Sequence, residues 1–540
     1  MKLKKIMALT LTCTLVATSI LTGCGKSADK GATTSNSLES KTFHAEGYPI
    51  VDEAITLKLA APKSALAPNF GEMKIMQDLA KKCNFKIEWN NIPDADYATK
   101  KNLLIASDDL PDAFWNSQFT DADLVTYGAD GTIIPLGDLI EKYMPNLSAE
   151  MKKDPTIKSR LTAPDGKIYS LPAIEQMGLL KAPFFTAVNT RWLQKLGLSM
   201  PTTPAEFKTV LEAFKTKDPN GNGMQDEIPF SFIPNSFCAD IGDLMAPFGM
   251  SDNPQHRIVR DNKVIYTAIQ DQYKDAIKYF HELYAEGLID PESFTQEPAQ
   301  YIAKGQNEQD KLGSFVWWEV PEVVGAKRAK DFAILDPFKN AQGQKVTGKS
   351  NMDEFNRAAF VITSANKNVA ATLRFVDLMY AKDVSSQIQW GPVGDVFTKT
   401  DSGLLKWKDA PEGTTMGEYR QKVCPGGGSP AIITKNDFGT VVEMEPRAKE
   451  RLDIIESKFS PYMEKQSYPN IFFDKEELNT INTTETDIST FVNSKRAAWI
   501  KDGGIDQDWD NYKAELNKMG LDKLMKIYQD GLDRYNKTAK

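Results

Sequence analysis

Histidine is scarce in this chain, with His44, His256 and His281 the only three in 540 residues, and cysteine occurs five times. No histidine has a second His or Cys at metal-ligand spacing, so a zinc or iron centre is not expected. Cys13 lies in an N-terminal targeting segment. Cys83, Cys238 and Cys424 are an odd set without paired spacing, which excludes a disulfide framework. Positive charge is not in excess either: 65 Lys and Arg face 73 Asp and Glu, a formal net charge of −8. That balance offers no surface for nucleic acid or an anionic membrane. Beyond the N-terminal segment no run approaches the ~20 apolar residues of a membrane span. There is no internal repeat, no nucleophile elbow and no His-Asp-Ser arrangement.

The N-terminus is what the rest of the chain is not. Lys2, Lys4 and Lys5 precede the apolar stretch "IMALTLTCTLVATSIL", and "LTGC" closes it at Cys24. The four residues resemble a bacterial lipobox. Cleavage before Cys24 would leave its sulfur to carry a lipid, with Thr22 and Gly23 slim enough for the peptidase. Residues 1–23 are thus expected to be a lipoprotein signal peptide. The polar, small-residue stretch that follows is expected to be a disordered tether over 24–50.

Hydrophobic residues make up 41% of the chain and charged ones 26%, enough for a real core and, at this length, for more than one domain. "AITLKLAAP" (54–62) alternates apolar and polar residues and predicts a strand. A helical stretch, the strand "FKIEWNNIP", another helix and the short strand "DAFWN" follow, a β-α-β-α-β order that implies helices packed on a parallel or mixed sheet. Residues 202–218 predict a helix that starts at Thr and Pro and keeps Phe207, Val210, Leu211 and Phe214 on one face. Residues 311–320 predict a buried strand. "CPGGGSP" (424–430) lacks the Lys-Ser/Thr of a phosphate loop and is expected to be a mobile surface loop.

Directly after the 202–218 helix comes "DPNGNGMQDEIP" (218–229). Asp218, Asn220 and Asn222 stand at positions 1, 3 and 5 of a calcium-type loop. Gly223 is at the sharp turn, Met224 offers its carbonyl, and Asp226 follows at position 9. Calcium wants six to eight oxygens, and alternate residues of one loop supply them. Position 12 is Pro229 rather than Glu, so the loop departs from the EF-hand pattern.

"IASDDLPDAFW", "GTIIPLGDLIEKYMPN", "DGKIYSLP", "RWLQKLGLSMPTTPAEF", the oxygen-rich loop and the C-terminal "WDNYKAELNKMGLDKLMKIYQDGLDRY" stand in one order behind the lipobox. In that order the chain resembles the bacterial extracellular solute-binding proteins of family 1, within the calcium-bearing oligosaccharide-binding subgroup. The resemblance implies an α/β, periplasmic-binding-protein-like fold: two lobes, a hinge and a ligand cleft. Lobe 1 is expected over 51–185 with 320–395, and lobe 2 over 186–319 with 396–540, with crossings near 180–190, 315–322 and 390–400. It implies structural Ca²⁺, with Glu227 as the closing ligand of the loop. It implies a monomeric, non-enzymatic receptor outside the plasma membrane, anchored by lipid, that delivers a carbohydrate or other small solute to an ABC permease. A secreted polysaccharide-acting enzyme, or a sensor serving a membrane histidine kinase, would share parts of this description. Sugar rings stack on aromatic faces, which makes Trp115, at a strand's C-terminal end, a candidate for the cleft. Trp390 is another. Trp317 and Trp318 alternate on one strand, so one of them faces the cleft and the other the core. Tyr169 is a further candidate, and Arg191 is a possible partner for a uronate carboxylate.

Overall fold

The computed structural model describes residues 42–538 except 108 and 237. The signal segment, Cys24 and most of the expected tether lie outside the described residues. The last stretch of that tether, from Thr42, is held. Phe43 bridges Val51, His44 N donates to the Ile50 carbonyl at 2.8 Å, and Ile50 N donates to Cys83 O at 3.2 Å. Packing therefore starts at Thr42 rather than at Val51.

Fourteen strands are present among the described residues: β1 (Ile55–Lys63), β2 (Phe85–Pro93), β3 (Ala113–Trp115), β4 (Leu171–Glu175), β5 (Phe185–Asn189), β6 (Ile228–Ser231), β7 (Arg257–Arg260), β8 (Lys263–Tyr266), β9 (Leu312–Trp317), β10 (Phe332–Ile334), β11 (Phe355–Ile362), β12 (Phe397–Lys399), β13 (Leu405–Trp407) and β14 (Ala431–Ile433). Two sheets carry the fold. One has six strands in the order β14-β4-β11-β3-β1-β2; the other has four in the order β10-β5-β9-β6. β7–β8 and β12–β13 are two-stranded. The β-α-β-α-β reading of the first hundred residues is realised as β1 in parallel contact with both β2 and β3.

Local chemistry sets the helices. Thr203 caps Pro204–Thr216 by accepting from Glu206 N, Pro204 supplies a preset first turn, and Phe207, Val210, Leu211 and Phe214 are buried as the spacing requires. Each sheet has its own apolar core. Leu57, Leu59, Ile140, Phe360 and Leu373 pack on the six-stranded sheet. Phe207, Phe230, Phe280 and Trp499 belong to the core of the four-stranded one, which the C-terminal helices Lys475–Asp502, Ile505–Lys518 and Leu521–Thr538 complete.

The chain passes between the sheets three times. It leaves the six-stranded sheet between β4 and β5 (176–184), inside the expected region. It returns between β10 and β11 (335–354), not at 315–322, because β10 still pairs with β5, Phe332 opposite Asn189. It leaves finally after β14, not at 390–400, because β14 lies parallel to β4 in the first sheet. Strand pairing thus assigns β10 to the four-stranded sheet and β14 to the six-stranded one, while β12 and β13 pair with each other.

Candidate ligand cleft and metal loop

Register brings one end of each sheet to the same place. In the six-stranded sheet β4 and β14 end where β11 begins, with Phe355 opposite Ile174 and Ile433 beside Glu175, while β3 ends further along β11, with Trp115 opposite Phe360. In the four-stranded sheet β9 ends where β5 begins, with Trp317 opposite Phe185. Residues 175–185, 317–319, 353–356 and 433–435 therefore meet at the passages. Such convergent strand ends are where open α/β sheets hold ligands.

A cavity of ≈ 350 Å³ opens there, lined by Glu175, Met177, Leu179, Leu180, Asp353, Glu354, Phe355, Asn356, Gln389 and Arg451. Its volume falls within the ~300–1,000 Å³ typical of small-molecule sites, and its wall mixes apolar faces with several aimed polar groups. Glu175 accepts from Gln389 Nε2 at 2.5 Å and from Trp390 Nε1 at 3.2 Å. Burial pushes its carboxyl up despite these donors and the Arg420 charge. The Arg451 guanidinium sits 5.0 Å over the Trp318 ring and 3.9 Å from Glu319.

The sequence candidates separate. Trp317 is 7% exposed, packs on Tyr301 at 5.4 Å and donates to Glu322 at 3.1 Å, so it faces the core. Trp318, the residue after β9, is half-buried against the same core and lies under the Arg451 guanidinium at 5.0 Å, and it is not among the residues that line the cavity. Trp115 is at the expected strand end but its ring is 0% exposed, pinned between Trp89 and Phe360, with Nε1 on Ser429 Oγ at 2.9 Å. Trp390 lies in an aromatic cluster with Trp407 and Phe438 and reaches the cavity only through its bond to Glu175. Tyr169 and Arg191 stand away from it. Tyr169 precedes β4, whose other end is at the cleft, and its hydroxyl donates to Asp165 at 2.6 Å. Arg191 follows β5 at the end opposite Trp317, where its guanidinium is paired with Asp310. The residues sequence reasoning missed, Glu175, Gln389, Asp353 and Arg451, carry no local pattern; only the neighbourhood of Trp390 hinted at Gln389.

The 424–430 loop is tied to the same end of the sheet. Asn116 Nδ2 donates to the Gly427 carbonyl at 3.3 Å. At Gly428, with φ +83°, a Cβ would fall 2.3 Å from Asn116 Oδ1, so only glycine fits that approach.

The oxygen-rich loop folds around its carboxylates. Asp218 Oδ1 accepts from Gly221 N and Asn222 N at 2.8 and 3.1 Å, and Oδ2 from Gly223 N at 3.0 Å. Asn220 and Asn222 turn their amide groups to Asp226 Oδ1 at 3.2 and 3.0 Å. Lys311 pairs with Asp226 at 2.8 Å and holds its carboxyl below the usual range. Both carboxylate oxygens of Glu227 are buried without a hydrogen-bond partner. Burial first, then Asp218 and Asp226, pushes that carboxyl up. Among the described residues no three His, Cys, Asp or Glu side chains stand together at metal-holding distance. The loop's donor set is instead mixed: three carboxylates, two amides and the Met224 carbonyl. Two orphaned anionic oxygens beside two more carboxylates are what a hard cation would satisfy.

Residues 67–385 match the model of the family described as bacterial extracellular solute-binding protein. The fructooligosaccharide ABC transporter substrate-binding protein FusA of Streptococcus pneumoniae serotype 4 is 40% identical over 533 residues, 96% of each chain. Lipoprotein LipO of Bacillus subtilis strain 168 is 28% identical over 259 residues, 46% of this chain and 49% of its own. The structure of FusA in complex with kestose superposes with a TM-score of 0.81 over 89% of this chain and 99% of that one. A second FusA structure, an EF-hand mutant in complex with fructo-nystose, aligns equally well. A solute-binding protein of Bifidobacterium longum infantis, associated with an ABC transporter and binding HMO, aligns with a TM-score of 0.79 at 26% identity, over 90% of this chain and 99% of its own.

Proposed function

The chain belongs to the family of bacterial extracellular solute-binding proteins, and from that premise we propose that it is the substrate-binding component of an ABC importer that takes up fructooligosaccharides. The observation that carries this reading is the cavity where the two sheets' strand ends meet. There the carboxylates Glu175 and Asp353, the Asn356 amide, the Gln389 amide and Arg451 surround a volume fit for part of an oligosaccharide, with the Trp318 ring under Arg451. Two lobes grip the sugar and release it unchanged, so the protein is a receptor and no bond is broken. Acylated Cys24 tethers it to the outer face of the plasma membrane, and a permease receives the sugar. The 218–229 loop holds a structural Ca²⁺ through Asp218, Asn220, Asn222, the Met224 carbonyl, Asp226 and Glu227.

Calorimetric titration of the purified protein with kestose, longer fructooligosaccharides and maltooligosaccharides tests the reading. Saturable binding of the fructose-based sugars, recovered intact by chromatography, is expected. Absence of binding, or conversion of the sugar, would overturn it.

A further inference from the structure

Two cavities flank the passages. Besides the one of ≈ 350 Å³ there is a larger one of ≈ 870 Å³. They lie on opposite faces of the sheet's edge. Ile432 pairs with Ile174, and both share a core with Ile157 of the helix Pro155–Leu161. The next pair, Ile433 and Glu175, faces the other way, toward Trp390. Glu175 N donates to Glu354 O at 3.1 Å and Gln176 N to Ile433 O at 2.8 Å, so the alternation carries on to Gln176. Gln176 and Ile157 line only the larger cavity, Glu175 and Gln389 only the smaller. The third passage divides likewise: Arg451 lines the smaller, Leu452 and Glu456 the larger. Residues common to both, among them Met177, Leu180, Asp353 and Glu354, are passage residues and form the wall between them.

The outer walls of the larger cavity belong to different bodies. Ile157 sits in the core of the six-stranded sheet. Leu452 and Glu456 belong to the stretch 446–459, which is held to the four-stranded sheet: Phe459 packs on Phe185 at 5.3 Å, Lys458 donates to Ile334 O at 3.3 Å, and Arg447 pairs with Glu319 at 3.2 Å. Among the described residues no hydrogen bond or ion pair runs from 150–160 or 434–437 to 446–459; Glu456 pairs with Lys181 and Arg160 with Asp353 instead. The gap between these walls is thus free to change. A rotation about the passages that narrows the cavity on one face widens the cavity on the other. We infer that the larger cavity is a lever on closure: bulk placed in it holds the sugar-side cavity narrow and raises affinity without touching the sugar. It acts by raising the population of the closed form. This rests on the two-lobed receptor reading above and adds to it a site that controls closure.

The test places a large side chain on the cavity wall of the full chain. Asn436 and Lys153 are exposed and line the larger cavity alone; Lys152 is exposed and lines neither. Small-angle scattering without sugar should give a smaller radius of gyration for Asn436→Trp and for Lys153→Trp than for the unmodified protein. At saturating kestose all radii should coincide. Calorimetry should show kestose bound about three- to tenfold more tightly by both variants. Lys152→Trp should match the unmodified protein in both measurements, and a general disturbance of the fold would weaken binding rather than strengthen it. If the sugar-free radius is unchanged and affinity stays within about twofold, or falls, the lever is overturned and the receptor reading stands. If the unmodified protein binds no kestose, the receptor reading falls, and the sugar-free radius still decides the lever. Should one variant not fold, the other decides.

Discussion

Trp317 and Trp318 differ by one position and by their partners. Strand alternation predicts one in the core and one at the cleft. Their contacts are non-local: Trp317 packs on Tyr301 and donates to Glu322, while Trp318, half-buried against the same core, carries Arg451 over its ring. The same limit explains Trp115. Its strand end was legible, but the direction of its ring was set by Trp89 and by Ser429, more than three hundred residues away. At this scale Trp318→Ala should weaken sugar binding about two- to thirtyfold by freeing Arg451, since a cation held over a ring contributes ~0.5–2 kcal/mol. Trp317→Phe should instead lower the melting temperature and leave affinity near its starting value.

A second residue makes a pH prediction. Asp243 lies beside the first passage, next to Phe184 and Asp252, and accepts from the Gly348 amide. Burial, then the neighbouring Asp240, pushes its carboxyl up to about 7. The folded protein thus holds a proton that the unfolded chain has already released, so stability is greatest below the ordinary carboxylate range and falls as pH rises toward 7. The loss amounts to up to about 4 kcal/mol. Asp243→Asn keeps an acceptor for Gly348 and should flatten the slope. Melting curves of both proteins from pH 4.5 to 7.5 should therefore diverge, and parallel curves would exclude Asp243 as the source.

Among elements, those with a full pattern were legible and those of three residues were not. β1, β2 and the helix Pro204–Thr216 fall within a residue or two of their sequence assignments. β10 and β14 are too short for any periodicity, and missing them moved two of the three passages by tens of residues. The oxygen-rich loop was legible because its spacing is local, and Glu227's buried, unpartnered oxygens agree with a cation there. Adding Ca²⁺ should raise the melting temperature and a chelator should lower it again. A cation bound at 100 times its Kd contributes about 2.7 kcal/mol. Glu227→Gln should abolish the response to Ca²⁺. Kestose affinity should persist in that variant, because the loop precedes β6 at the end of the four-stranded sheet away from Trp317. A melt indifferent to both ion and chelator would remove the site.

For the whole molecule the question is whether two cores move. The passages between them are joined side by side: Glu175 N donates to Glu354 O at 3.1 Å, Ser350 N to Lys181 O at 3.0 Å, and Thr347 N to Tyr462 O at 3.1 Å. Glu354 also takes the amides of Gly178 and Leu179 on one oxygen, at 2.6 and 3.1 Å. A ribbon bonded in this way bends as a unit, which confines closure to a hinge rather than to sliding of one core on the other. Melting temperature cannot report that motion, because any ligand that prefers the folded state raises it by mass action alone. Shape can. Small-angle scattering should give a smaller radius of gyration at saturating kestose than without sugar, and maltooligosaccharides at the same concentration should leave it unchanged. A radius indifferent to kestose under conditions where calorimetry shows full occupancy would mean a preformed, rigid site, and the hinge would have to be given up while the sugar reading remained.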